Sequence, residues 1–164
     1  RIPAAREEPL VRLVLSSPGG DFAMFVRDIL QTKSLTVYSC QPEDTLADVV
    51  DLLVGHNIGS LVVLQDGEMV GIITERDILR ATAVTRGPLE FVRVHERMTR
   101  CPVVASPQED VSDTMGVMTD RRIRHLPVVE NGRLVGIISI GDIVKAQHDE
   151  LSRENHYLKS YIQS

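Results

Sequence analysis

Apolar and polar positions in this 164-residue chain follow a pattern that occurs twice. In the first copy Leu46, Val49, Val50 and Leu53 recur at the spacing of one helix face. Val111, Met115 and Met118 do the same in the second. Each amphipathic stretch follows a short apolar run suited to a strand, residues 35–40 and 103–105, and Pro42 and Pro107 mark the helix starts. Residues 60–65 and 126–130 are rich in β-formers, and residues 69–73 and 134–138 read as return strands. Asp66-Gly67 and Asn131-Gly132 sit between them, and such pairs favour a type I′ turn because both central residues need positive φ. A second helix starts at Thr74 or Ser139. The order per copy is β-α-β-β-α, which places the chain in the α/β (α+β) class.

The two copies align without a gap from Pro42/Pro107 to Ala81/Ala146, with Gly71 on Gly136, an offset of 65. Upstream, Val26-Arg-Asp-Ile-Leu30 matches Val94-His-Glu-Arg-Met98 after a small indel. A fixed repeat of this kind implies two like units packed against each other. The expected division is an arm or linker at 1–20, a first unit at 21–84, a second at 85–148 and the end of a C-terminal helix at 149–164. Pro3, Pro9, Pro18, Gly19 and Gly20 break the arm, although residues 10–15 could add a strand. The tail from Gly141 reads as one long helix with Leu151, Leu158, Tyr161 and Ile162 on or near one face. So narrow a stripe needs a partner, either its own domain or a second subunit. A homodimer is expected, since soluble proteins favour closed twofold assemblies.

Composition narrows the function classes. With 18 Lys+Arg against 23 Asp+Glu, the net charge of −5 argues against general nucleic-acid binding, which needs an excess of cations. The Arg121, Arg122, Arg124 and His125 cluster leaves a local basic patch open. Cys40 and Cys101 form no C-x-x-C pair and read as small buried residues in a reducing compartment. No apolar run is long enough to cross a membrane and no leader pattern is evident. A cytoplasmic location is expected, and the start at Arg1 leaves an organellar one open. The five histidines form no metal-ligand pattern, and the nucleophile-elbow and phosphate-loop motifs are missing. No catalytic residues, no metal site and no catalytic cofactor are expected.

The candidate chemistry lies in a duplicated strand end and helix start. It reads Gly71-Ile-Ile-Thr74-Glu-Arg76-Asp77 in one copy and Gly136-Ile-Ile-Ser139-Ile-Gly-Asp142 in the other. Thr74-x-x-Asp77 and Ser139-x-x-Asp142 fit a capping box, which only ties off a helix N-terminus. The same position offers N–H donors to an anion and a carboxylate to ribose hydroxyls. The two readings are compatible.

These strings, with Ile58-Gly-Ser-Leu-Val-Val before the first and Arg124-His-Leu-Pro-Val-Val before the second, resemble a tandem pair of CBS (cystathionine β-synthase) domains, a Bateman module. The resemblance covers roughly residues 24–148, and implies two β-α-β-β-α domains packed with pseudo-twofold symmetry and pairing into disk-like dimers. It implies a non-catalytic regulatory module that binds an adenosine-type ligand (AMP, ADP, ATP, NAD(H) or S-adenosylmethionine) in clefts between the repeats. Asp77 and Asp142 would hold the ribose hydroxyls, and Thr74 and Ser139 would contact ribose or phosphate. Thr36, Val37, Tyr38, Ile58, Gly59 and Ser60 would frame the base in one copy. Pro102, Val103, Val104, Arg124, His125 and Pro127 would do so in the other. Arg76, Arg124 and His125 would be the best phosphate contacts, the arginines because guanidinium offers paired donors, although the arginine cluster reads equally as a solvated helix end. Signalling would follow from a change in conformation or association, with an unidentified protein target possible. A ligand-free dimerisation module and a regulatory fragment of a larger enzyme or transporter remain the alternatives.

Overall fold

The computed structural model describes residues 6–8, 23–34 and 36–163. It contains strands β1 (Arg6–Glu8), β2 (Val37–Cys40), β3 (Ser60–Gln65), β4 (Glu68–Thr74), β5 (Thr99–Arg100), β6 (His125–Glu130) and β7 (Arg133–Ser139). The helices are α1 (Val26–Thr32), α2 (Leu46–His56), α3 (Glu75–Val84), α4 (Val94–Arg97), α5 (Val111–Asp120) and α6 (Ile140–Gln163). Five strands form one sheet in the order β1-β2-β3-β4-β5, and β6 and β7 form a second. The mixed α+β class and the long C-terminal helix agree with the expectation. Part of the expected arm is β1, antiparallel to β2; residues 10–15 and Leu35 lie outside the described residues.

The duplication is visible hydrogen bond by hydrogen bond. In β3–β4 the register runs from Ser60↔Thr74 through Val63↔Gly71, breaks, and resumes at Leu64↔Met69. In β6–β7 it runs from His125↔Ser139 through Val128↔Gly136, breaks, and resumes at Val129↔Leu134. The irregularity falls at the same repeat position in both sheets. Both hairpins turn as their sequences require, with φ of 53° and 83° at Asp66-Gly67 and 50° and 75° at Asn131-Gly132.

The leading helices exchange partners. Val26, Ile29 and Leu30 of α1 pack in the core of the second repeat with Val111, Met118, Leu126, Val128 and Ile138. Val92, Val94 and Met98, in and around α4, pack in the core of the first with Leu46, Leu61, Val63 and Ile73. Backbone bonds repeat the exchange: Val26 N donates to Glu109 O and Val94 N to Asp44 O. Gly71 and Gly136 make room for it. A Cβ on Gly71 would meet the Thr99 carbonyl at 2.7 Å, and one on Gly136 would meet Leu30 Cδ2 at 2.6 Å.

Three local expectations change. Pro42 and Pro107 do not open the helices; α2 begins after the Thr45 cap and α5 after the Asp110 cap. Both prolines instead lie in the crossing segments, where their carbonyls accept from His95 N and Arg27 N. The strand expected at 103–105 shrinks to one bridge, Ala105 to Val128. Cys101 just before it has φ of 47°, Pro102 has no N–H to donate, and the Val103 and Val104 side chains are exposed. Finally, only Cys40 is buried, its thiol pushed up to about 12 by desolvation and then by the Asp44 charge; Cys101 is exposed.

Candidate functional site

The helix starts at Thr74 and Ser139 each close a capping box. Asp77 Oδ2 accepts from Thr74 N at 3.0 Å and from Thr74 Oγ1 at 2.9 Å, while Asp77 N donates to Thr74 Oγ1 at 3.4 Å. Asp142 Oδ2 accepts from Ser139 N at 2.8 Å, and Asp142 N donates to Ser139 Oγ at 3.1 Å. The bland reading of the motif therefore holds as geometry, and it leaves each carboxylate fixed at the end of a strand hairpin.

A cleft of about 500 Å³ opens between the repeats at Asp142. Thr36 and Tyr38 reach it from the first strand, and Ile58, Gly59 and Ser60 from the turn into β3. His125, Ser139 and Asp142 reach it from the second repeat. Residues expected to serve one copy's site thus join the other copy's aspartate. Tyr38 stacks on His56, with ring centroids 4.0 Å apart. Gly59 lies close against His125: a Cβ there would stand 2.8 Å from His125 Cε1, so the ring would have to shift.

A second pocket, of about 100 Å³, gathers Gly59, Thr74, Arg76, Arg124 and His125. The three basic groups expected to meet phosphate do share this small site. Arg76 Nη1 donates to the Arg122 carbonyl, which holds its guanidinium at the pocket edge. Burial holds the His125 imidazole below its ordinary value, with help from the Lys33 and Arg124 charges and against the pull of Glu75 and Asp142. The ring is therefore neutral near pH 7.

Other expected site residues are placed elsewhere. Asp77 lines neither cavity. Val37 is 3% exposed and points away from the cleft that its neighbours Thr36 and Tyr38 line, as strand alternation requires. Pro127 is buried in β6, and its carbonyl accepts from Ala105 N. Pro102, Val103 and Val104 lie on the irregular segment before that bridge and line neither cavity.

Lys33 is the charged residue of the cleft that sequence reasoning missed. It follows α1, and its Nζ donates to Asp142 Oδ2 at 2.7 Å and to the Ile137 carbonyl at 2.9 Å. Burial raises the Asp142 carboxyl, but the Lys33 hydrogen bond, the Ser139 N–H and the Lys33 charge together hold it below the usual carboxylate range. Lys33 and Asp142 also line a groove of about 630 Å³ between α1 and α6. Ser34, Asn57, Ile137 and Ile138 complete the lining of the cleft. The repeat alignment offers no signal for Lys33, because it lies upstream of the gapless stretch and 109 residues from its partner.

Two like repeats, each a helix and a β-hairpin leading into a second helix, with a cleft between hairpin ends and helix starts, define a class of two-repeat module. The CBS domain family matches residues 26–84 and 93–149, and the chain belongs to it. It is 36% identical over 147 residues to the CBS domain-containing protein CBSX3, mitochondrial, of Arabidopsis thaliana, covering 84% of this chain and 71% of that protein. It is similar to the structure of a CBS-domain-containing protein from Agrobacterium tumefaciens, at 40% identity and a TM-score of 0.73 over 76% of this chain and 99% of that one. It is also similar to the CBS domain pair of protein MJ0100, at 28% identity and a TM-score of 0.65 over 78% of this chain and 98% of that one. That structure holds 5′-methylthioadenosine and S-adenosyl-L-methionine. Among the described residues no helix is long and apolar enough to cross a membrane.

Proposed function

We propose that this chain is a non-catalytic regulatory module that takes an adenosine-type ligand in the Asp142 cleft. The observation that carries this reading is the convergence of Thr36, Tyr38, Ile58, Gly59 and Ser60 with Ser139 and Asp142 around about 500 Å³. An apolar strand face and an aromatic ring suit a base, and a fixed carboxylate suits ribose hydroxyls. The adenosyl ligands of the MJ0100 pair support the same class. A ligand contacting β2 and β3 on one side and β7 and α6 on the other favours whichever arrangement of the repeats it binds better. Thr74, Arg76, Arg124 and His125 form a second, narrower candidate site.

The output lies in association. Val54, Leu79, Val144 and Leu151 are exposed on α2, α3 and α6, and the distal α6 stripe of Leu158, Tyr161 and Ile162 is exposed as well. Apolar area of this extent on several helices suits a second copy of the chain.

The test is thermal unfolding against AMP, ADP, ATP, NAD, NADH and S-adenosylmethionine, on wild type, Asp77→Ala and Asp142→Ala. A ligand at 100 times its Kd adds about 2.7 kcal/mol. For a chain of this size that is a rise of about 5–10 °C. The rise is expected with at least one ligand and is expected to vanish in Asp142→Ala. No rise with any of them, on protein free of copurified nucleotide, would leave dimerisation without a ligand as the function.

A further inference from the structure

The charge inside the Asp142 cleft points to which adenosyl ligands it can hold. Its lining contains two ionised side chains, Lys33 and Asp142. The third titratable base there, His125, is held toward its neutral form by burial. Asp142 is the fixed partner, anchored by the Ser139 N–H. Lys33 cancels its charge through a 2.7 Å contact and is itself held by the Ile137 carbonyl. A cleft of about 500 Å³ keeps every ligand atom within the roughly 10 Å over which charges act at ordinary salt.

We infer that Lys33 is a specificity-determining residue, which makes the cleft select adenosyl ligands with an anionic 5′ group and reject those with a cationic one. The inference rests on the adenosine reading above. Asp142 alone would give the cleft a net negative charge, which welcomes a sulfonium and repels a phosphate. With the Lys33 ammonium beside it, that bias is removed, and a flexible four-carbon stem lets the cation turn from Asp142 Oδ2 toward an incoming phosphate. Ribose hydroxyls then take its place on the carboxylate. Selection of this kind is a difference between two affinities, set as much by the rejected ligand as by the favoured one.

Three probes share the adenosyl group and differ in charge at the 5′ end: AMP is anionic, 5′-methylthioadenosine neutral and S-adenosylmethionine cationic there. Calorimetric titration of each into wild type, Lys33→Met and Lys33→Arg separates the two claims. Wild type is expected to prefer AMP over S-adenosylmethionine. In Lys33→Met, AMP should weaken and S-adenosylmethionine tighten by at least about tenfold each relative to methylthioadenosine, the floor set by unit charges about 10 Å apart at an effective dielectric near 20. Lys33→Arg should keep the wild-type order. Equal melting temperatures of the ligand-free variants exclude a folding effect. If methylthioadenosine binds and the AMP to S-adenosylmethionine ratio stays within twofold in Lys33→Met, the inference is overturned while the adenosine reading stands. If none of the three binds wild type, the adenosine reading itself falls, and this inference with it.

Discussion

In both repeats a hydroxyl residue caps a helix and an aspartate three positions on returns the bond, so the surroundings of Asp77 and Asp142 begin alike. They end differently. Asp142 carries the Lys33 ammonium and faces a cleft of about 500 Å³, whereas Asp77 is bonded by Thr74 and the nearby pocket holds about 100 Å³. The difference comes from the segments that cross between repeats. The α1 segment ends in Lys33, over the second repeat. The equivalent α4 segment runs on to Arg100, whose guanidinium donates to the His95 carbonyl, and to the exposed Cys101. Duplication therefore fixed the carboxylates, while the unduplicated ends of the leading helices set what surrounds them.

The largest expected effects lie in the two cores. Leu61 and Leu126 occupy equivalent places in β3 and β6 and are 0% and 1% exposed. Leu61→Ala and Leu126→Ala should each cost about 3 kcal/mol in chemical denaturation. A gap between them much beyond 1 kcal/mol would mean that the repeats are not energetically equivalent. The paired glycines press on different groups. Gly71→Ala pushes on a backbone carbonyl, Gly136→Ala on the end of a leucine side chain. Overpacking should cost about 3 kcal/mol in the first and about 1 kcal/mol in the second; equal losses would show that the two crossings yield alike.

Smaller effects come from the caps. Thr74→Ala and Ser139→Ala should each lose about 1 kcal/mol, read by thermal unfolding without ligand. A far larger loss in Ser139→Ala would show that its hydroxyl organises Lys33 as well as the helix start. The smallest effect is a dependence on pH that rests on His125 in the second repeat. His125 titrates lower in the fold than in the unfolded chain, so the unfolded state takes up the proton first. Its contribution is present above the ordinary value of 6.5 and is lost as pH falls below it. Ser60 holds the equivalent place in the first repeat and does not titrate. The melting temperature of wild type should fall more steeply from pH 7 to pH 5 than that of His125→Gln, and parallel curves would assign the slope to other groups.

Much of the architecture was legible because it depends on neighbours along the chain. The Asp66-Gly67 and Asn131-Gly132 turns, the α2 and α5 periodicities and the two capping boxes are all decided within a few residues. The repeat made each of them visible twice. The same reasoning misplaced the start of α2, because Pro42 serves the crossing segment before Thr45 caps the helix. It also gave Val103 and Val104 a strand that Cys101 and Pro102 interrupt. Within the candidate site, the residues of β2 were named as a run although alternate side chains face opposite ways, which puts Val37 in the interior.

The duplication, most of the order of elements, the hairpins and the placement of two carboxylates at helix starts follow from the local pattern of the chain. Those features rest on local hydrogen bonds and on periodicities of two and 3.6 residues. Packing in three dimensions is what makes α1 and α4 trade cores, brings Tyr38 and Gly59 to Asp142, and bonds Lys33 to a carboxylate 109 residues away. Contacts across such separations leave no mark on local pattern, because packing and charge act on distance in space.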